Sequence, residues 1–248
     1  MPWRPRTGER LSPYHVVVSE IMLQQTQVSR VEKKFPPFIK KFPNFKALRD
    51  AHLKDVLKEW KGLGYNRRAL NLYRLAGDIE SRLPKTYREL LELPGIGANT
   101  AGSILAFAHN IPHPFIETNI RAVYIHFFFK DKKKVHDKEL MPLIEKTLDK
   151  KNPREWYYAL MDYGTHLKKK GENPSRKSTH HIKQSKFKGS NRELRAQILQ
   201  MIVESPSTME KVQKRLTDAS EHNIEKNLLD LVYEGFLEKR NTIYSVRK

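Results

Sequence analysis

The sequence predicts an all-α body followed by a small α+β unit. Three observations carry this expectation. Apolar residues recur at helical spacing through most of the first 165 residues, and no segment there alternates in the manner of a half-buried strand. At Lys168 the composition turns polar and basic. Beyond it, new helical patterns lead into one short alternating stretch.

The elements can be taken in order. Met1–Leu11 lacks periodicity and reads as an extended, basic lead-in. Val17, Ile21, Gln24, Val28, Val31 and Phe35 then form one helical face, so a single helix is expected from about Pro13 or Ser19 onward. Phe45, Leu48, Val56, Leu57 and Trp60 anchor the next helical stretch, which stops at Gly62 and Gly64. Leu70, Tyr73, Leu75 and Ile79 mark another, stopped by Pro84. "TYRELLELPGIGANTAGSILAFA" is two helices broken at Pro94–Gly97, and "NIRAVYIHFFF", "LMPLIEKTLDK" and "EWYYALMDYGTHL" complete the body at about residue 167. Residues 168–189 read as a basic linker. In 190–248, three helical patterns precede "LEKRNTIYSV", which alternates around Arg240-Asn241 like a hairpin. Three helices and a hairpin suggest a winged-helix-like domain; a small helical dimerisation domain is the alternative.

Composition narrows the function. The chain has 248 residues, 47 Lys+Arg against 28 Asp+Glu, and a formal charge of +19. That balance favours a polyanionic partner, nucleic acid first; a solubilising basic surface or a lysine-rich proteome is the alternative, and charge alone does not exclude it. There are no cysteines, which excludes disulfides and thiolate-held zinc or iron–sulfur groups. No apolar run approaches a membrane span and no signal peptide opens the chain, so a cytoplasmic, nucleoid-associated protein is expected.

Two local features suggest chemistry. Glu20 shares its helical line with Val16 and Leu23. Desolvation by such neighbours raises a carboxyl pKa, and a carboxylic acid that stays protonated near neutrality can act as a general acid. The plain alternative places Glu20 in a first helical turn, facing solvent and favouring the helix dipole. In "LPGIGANTAG", Gly95 and Gly97 permit a tight hairpin before a helix starting near Asn99. Hairpin amides and a helix N-terminus make an anion site that can hold a DNA phosphate without reading bases.

"SEIMLQQTQV", "GLGYNRRALNL", "LPGIGANTAG" and "ETNIRAV", in this order and spacing, resemble the helix-hairpin-helix DNA glycosylases. The adenine DNA glycosylases (MutY type) are most similar, and "PWR" and "ALMDYG" also look like theirs. The resemblance covers roughly residues 2–165. It implies a helix-hairpin-helix glycosylase domain over 1–167 and a base-excision enzyme that hydrolyses the N-glycosidic bond of a mispaired adenine.

The resemblance assigns residues. Glu20 takes the position of the catalytic acid, Glu117 that of the sugar-facing aspartate, and Asn119 that of the asparagine beside the sugar. For Glu117 the alternative is a helix cap paired with Arg121, with Thr118 or Asn119 available to cap instead. Gln25 and Tyr65 match residues that wedge into the base stack, while Gln24, Thr26 and Leu63 match neighbours around the lesion. Trp3 and Arg4 match the border of the base pocket. Gly95, Gly97, Asn99 and Thr100 match the phosphate-gripping hairpin, and main-chain carbonyls of Leu91, Leu93 and Ile96 match a site for a structural Na+ or K+. Asn99 stands where bifunctional members carry a Schiff-base lysine, so a monofunctional enzyme is implied. It could also simply cap its helix.

Three departures qualify the resemblance. The four cysteines of the family's iron–sulfur cluster are absent, so no cluster is expected, and the basic 168–189 stretch lies there instead. The family's C-terminal lesion-reading domain is replaced by the winged-helix-like unit. Its catalytic aspartate is Glu117. The expected partner is double-stranded DNA carrying a mismatch or oxidised base, bound by a monomer with no membrane contact. Two alternatives stay open: uracil or thymine excision from G mismatches, and a non-catalytic DNA-binding protein.

Overall fold

The computed structural model describes residues 3–4, 12–171, 173–181 and 186–247. Of the basic lead-in, only Trp3 and Arg4 fall within the described residues; of the basic linker, residues 172 and 182–185 lie outside them. The element order is α1 (Pro13–Leu23), α2 (Val28–Lys41), α3 (Phe45–Arg49), α4 (Leu53–Trp60), α5 (Arg67–Asp78), α6 (Tyr87–Glu92), α7 (Ala98–His109), α8 (Thr118–Phe128), α9 (Asp137–Thr147) and α10 (Pro153–Lys169). A 3₁₀ turn (Pro174–Lys177) follows, then α11 (Asn191–Glu204), β1 (Ser207–Thr208), α12 (Met209–Arg215), α13 (Glu221–Tyr233), β2 (Leu237–Arg240) and β3 (Ile243–Val246).

The first expected helix is two helices. α1 ends at Leu23, and Gln25 takes a left-handed φ of 53° before α2 begins at Val28. The apolar stripe continues across the break because Ile21, Val31 and Phe35 are all buried, whereas Val28 is exposed. Glu20 therefore lies in the third turn of α1, not the first, which removes the dipole reading.

The chain divides into two compact units. One comprises Met1–Trp3, Ile21–Ser81 and Ser185–Lys248; the other comprises Arg4–Glu20 and Arg82–Gln184. In the first unit, Phe38 packs edge-on against Phe42 and Trp60, with ring centroids 5.0 and 6.1 Å apart. Within this unit the C-terminal elements meet α4 and α5. Glu234, just beyond α13, pairs with Arg67 of α5 and Arg195 of α11, each at 2.7 Å. Arg74 donates to the Glu234 carbonyl at 2.8 Å, and Lys61 pairs with Glu204 at 3.5 Å.

The C-terminal sheet is antiparallel, ordered β1-β3-β2. The hairpin turns at Asn241-Thr242, with Arg240 opposite Ile243 and Asn241 at φ 54°. β1 was not expected from sequence, since two residues are too few to alternate.

The second unit is built on one apolar cluster: Val16 of α1, Phe107 of α7, Ile120 and Tyr124 of α8, Leu140 and Ile144 of α9, and Tyr157 of α10 among others. α10 lies close along α8. At Gly164 a side-chain carbon would stand 2.5 Å from the Asn119 carbonyl oxygen and 2.7 Å from its Cβ. Only glycine lets the start of α8 approach α10 this far. Among the described residues, no helix is long and apolar enough to cross a membrane.

Candidate active site

The second unit gathers the expected acids. Glu20, half-buried on α1, is pushed up to about 7 by desolvation. A hydrogen bond with Ser103 of α7 and the charge of Arg4 oppose that rise, while the charge of Glu117 adds to it. Ser103 is buried and its hydroxyl donates to the Thr100 carbonyl at 3.0 Å. Arg4 is fixed on α10, with its guanidinium 2.8 Å from Asp162 and 4.3 Å from the Tyr158 ring centroid.

Glu117 precedes α8 and caps it. Its Oε1 accepts from the backbone N–H of Asn119 at 2.8 Å and of Ile120 at 3.2 Å. Glu117 is thus the cap, in place of Thr118 or Asn119. Arg121 pairs instead with Asp137 of α9, through two contacts of 2.6 and 2.7 Å. Burial raises the Glu117 carboxyl, and the two amides, Lys168 and Arg121 hold it down. Both oxygen–amide bonds use Oε1, so capping leaves Oε2 for another partner. The Asn119 amide oxygen accepts from Lys168 Nζ at 2.7 Å.

The first unit holds the expected wedge residues. Gln25 and Tyr65 are both left-handed, at φ 53° and 46°, and both are exposed. Non-glycine residues in this region carry strain that surrounding structure must hold. Here Arg68 holds it. This buried guanidinium donates from Nη1 to the carbonyls of Ile21, Met22 and Gln24. From Nη2 it donates to Thr26 Oγ1 and the carbonyls of Leu63 and Gly64. One side chain therefore staples the turn after α1 to the turn before α5. Desolvation pulls Arg68 down to about 10, which leaves it charged at neutral pH.

The neighbours follow from this clamp. Leu63 is buried and gives its carbonyl to Thr26 and Arg68; Gln24 is half-buried. Trp3 is 7% exposed and packs edge-on against Phe35 at 5.6 Å, as a core residue of this unit. Arg192 of α11 donates to the Tyr65 hydroxyl at 2.9 Å and lies 5.7 Å from its ring centroid.

At the hairpin, Gly95 has φ 79°, the turn only glycine adopts freely. Gly97 is different: at φ −97° and ψ 176° it is ordinary extended backbone, and a Cβ there would meet nothing within 4 Å. Asn99 is exposed in the first turn of α7, and its Oδ1 accepts from the Ile116 N–H at 3.3 Å. It ties the hairpin to the segment before Glu117, and Gly97 holds the cap position. Thr100 follows in α7, and its carbonyl receives Ser103. Leu93 accepts from the Ile96 N–H at 3.2 Å, which closes the hairpin turn.

The segment from Lys168 does not suit an iron–sulfur cluster, since no thiolate exists to hold one. It closes by main-chain bonds instead. Val135 N–H donates to Lys177 O at 2.9 Å, and Thr179 N–H to Val135 O at 3.0 Å. Lys177 Nζ reaches the Lys130 carbonyl at 2.6 Å. Among the described residues, no group of three or more His, Asp or Glu stands together as a metal site.

Comparison with known proteins gives the family. Residues 18–150 match the HhH-GPD superfamily base excision DNA repair protein family, over half of the chain. The chain belongs to the HhH-GPD superfamily. Similar proteins include "Adenine DNA glycosylase" of Buchnera aphidicola subsp. Baizongia pistaciae, 37% identical over 172 residues, covering 66% of this chain and 47% of the relative. The Mycolicibacterium smegmatis protein of the same name is 41% identical, over 50% of this chain and 42% of its own. The human one is 30% identical, over 66% and 32%. The chain thus spans about half or less of the length of these relatives. Among solved structures, a thermostable thymine-DNA glycosylase aligns with TM-score 0.56 and 25% identity, over 66% of this chain and 77% of that one. Endonuclease III in a non-covalent DNA complex aligns with TM-score 0.50 and 20% identity, over 67% and 78%, a likeness of fold.

Within the HhH-GPD fold, three residues escaped sequence reading. Arg68 lies in "GLGYNRRALNL", but an arginine on a basic chain gives no sign of being buried. Ser103 lay on the same helical face as Asn99, one turn on, a spacing that could have flagged it. Lys168 was counted with the basic run.

Proposed function

We propose that this protein is a DNA glycosylase that removes adenine mispaired with 8-oxoguanine or guanine, without an efficient lyase step. The observation that carries the reading is the pair of electrostatically coupled, desolvated glutamates: Glu20 pushed up to about 7, and Glu117 pinned beside Asn119. Family membership and the adenine glycosylase relatives support it.

In this mechanism Glu20 gives its proton to a ring nitrogen of the extruded adenine. The C1′–N bond then breaks, and its electron pair leaves with the purine. The Glu117 carboxylate stabilises the oxocarbenium-like sugar from its free oxygen. Water adds to C1′, its proton passes to Glu20, and an abasic site results. Gln25 and Tyr65 fill the gap in the stack, with Gln24, Thr26 and Leu63 shaping that edge. Arg4 orients Glu20, while Trp3 supports the wedge unit through Phe35. The 95–100 hairpin grips a phosphate, and Gly97 leaves room for it. A Na+ or K+ on the Leu91, Leu93 and Ile96 carbonyls would stiffen that turn. With Asn99 at the lysine position, no Schiff base forms there.

Residues 1–167 are proposed as the catalytic segment, 168–189 as the cluster-free substitute and 190–248 as a winged-helix-like addition. That addition supplies further phosphate contacts and, through Arg192, steadies Tyr65. The partner is mismatched or oxidised duplex DNA, bound by a monomer in the cytoplasm.

Excision of thymine or uracil from G mismatches is the second reading, favoured by the likeness to the thymine-DNA glycosylase. Pyrimidines leave more readily as ring anions and have less need of a protonated acid, so Glu20 favours adenine. Duplexes carrying A·8-oxoG, A·G, T·G and U·G, incubated with enzyme and then alkali, separate these readings. Cleavage is expected at adenine first. Cleavage confined to T·G and U·G would transfer the activity to pyrimidines, and binding with no cleavage would leave a DNA-binding protein.

A further inference from the structure

Of the three consecutive lysines that open the basic stretch, Lys169 and Lys170 are exposed, but Lys168 turns inward. It shares a face of α10 with Gly164, one turn earlier, and both residues meet Asn119. Gly164 admits the Asn119 backbone, and Lys168 Nζ donates to the Asn119 amide oxygen at 2.7 Å. The first lysine of the segment that replaces the cluster thus reaches the residue two positions after Glu117.

The charged surroundings of Glu117 are few. From α8 itself comes Arg121, already neutralised by Asp137 of α9. From α1 comes Glu20, whose charge opposes that of Glu117. The 3₁₀ turn also packs on α8, but its Arg176 is exposed and its Lys177 is bonded to the Lys130 carbonyl. Among the described residues, Lys168 of α10 is the other cation that acts on Glu117, and its influence is larger than that of Arg121.

We propose that Lys168 is a positioning residue for base excision: it orients Asn119 and supplies the counter-charge that keeps the half-buried Glu117 ionised. This rests on the reading of Glu117 as the sugar-facing carboxylate. Desolvation draws the Lys168 ammonium below its ordinary range, and Glu117 draws it back up, so the two groups sustain each other's charge. An opposite charge close by holds a carboxyl down by about 1–3 pH units. Without Lys168, Glu117 would take up a proton at higher pH and the sugar cation would lose its stabilising charge.

The test uses the full chain as wild type, Lys168→Met, Lys168→Gln and Lys168→Arg, each checked for folding by circular dichroism. Single-turnover adenine excision from A·8-oxoG is followed from pH 4.5 to 9, and the Glu117 carboxyl is titrated by carbon-13 NMR, assigned with Glu117→Gln. Lys168→Met should move the acidic limb and the Glu117 titration up by about one pH unit, which is about a tenfold loss of rate below the limb. Lys168→Gln keeps a donor for Asn119 but not the charge, and should shift likewise; Lys168→Arg should restore both readouts. An unchanged limb and unchanged Glu117 titration in folded Lys168→Met or Lys168→Gln overturn the proposal. So does a borohydride-trapped adduct formed by wild type and lost in Lys168→Arg, which would make Lys168 a nucleophile. If wild type excises no adenine yet the Glu117 titration still shifts, the adenine reading falls and the electrostatic role stands.

Discussion

In the unit holding residues 82–184, Glu20 and Glu117 are half-buried acids that desolvation raises. In the unit holding residues 21–81, the buried charge is Arg68, ringed by neutral oxygens. The contrast is one of purpose. The desolvated Glu20 carboxyl sits at about 7, where a proton moves readily at neutral pH. A buried guanidinium cannot lose its charge near pH 7, and its fixed fork of donors serves to hold carbonyls in place. The acids proposed for catalysis in one unit are therefore tunable, and the strained turns of the other are clamped. The helix α1 joins them in the chain, with Glu20 in one unit and Ile21 in the next.

The largest effect that would sharpen this contrast is on excision alone. Glu20→Gln keeps the shape and removes the proton donor, so single-turnover excision should fall by about 10²–10⁴-fold while duplex binding persists. Loss of binding in step with excision would erase the division between chemistry and shape.

Arg68→Met should do the reverse. Five carbonyls and one hydroxyl lose the Arg68 donor, and Gln25 and Tyr65 lose the clamp on their left-handed turns. Unfolding free energy should drop by about 3 kcal/mol or more, read by denaturant melts. Unchanged stability would mean that the turns hold themselves.

Stability against pH gives a third way to test the contrast. The Glu20 carboxyl sits above its ordinary 4.5, at about 7. The folded state then pays nothing for ionisation below about pH 4.5, a growing cost as pH rises, and the full cost above about 7. Glu20→Gln removes that slope. The variant should gain stability over wild type at pH 8 relative to pH 4.5, by at most about 3 kcal/mol, with partial exposure making the true gain smaller. A stability difference that is flat across this range would mean that Glu20 is not held protonated.

Gly164→Ala is the smallest perturbation. Its new carbon meets backbone of Asn119 at 2.5 Å, so α8 must shift. A stability loss of about 2 kcal/mol is expected, with slower excision because Asn119 and Glu117 move together. Unaltered excision would separate the cap of α8 from the chemistry.

Much of this was legible in the sequence. Helical periodicity located α5 and α8, but it reads α3 and α4 as one stretch, which the structure breaks between Arg49 and Leu53. The desolvation of Glu20 could be read from Val16 one turn away. The break after Leu23 could not, since Gln24 and Gln25 carry no glycine or proline signal and the turn is imposed by Arg68 from 44 residues along the chain. The setting of Glu117 was half visible: its place before a helix suggested a cap, but only the fold draws Arg121 to Asp137 and Lys168 to Asn119. Long-range partners of polar groups leave no periodicity behind them.

The central claim, that Glu20 acts as the acid, is tested most directly by the pH dependence of single-turnover adenine excision at saturating enzyme. The rate should fall above about pH 7, where the Glu20 carboxyl loses its proton, and the limb should vanish with the activity in Glu20→Gln. A wild-type rate that stays level to pH 9 would contradict it.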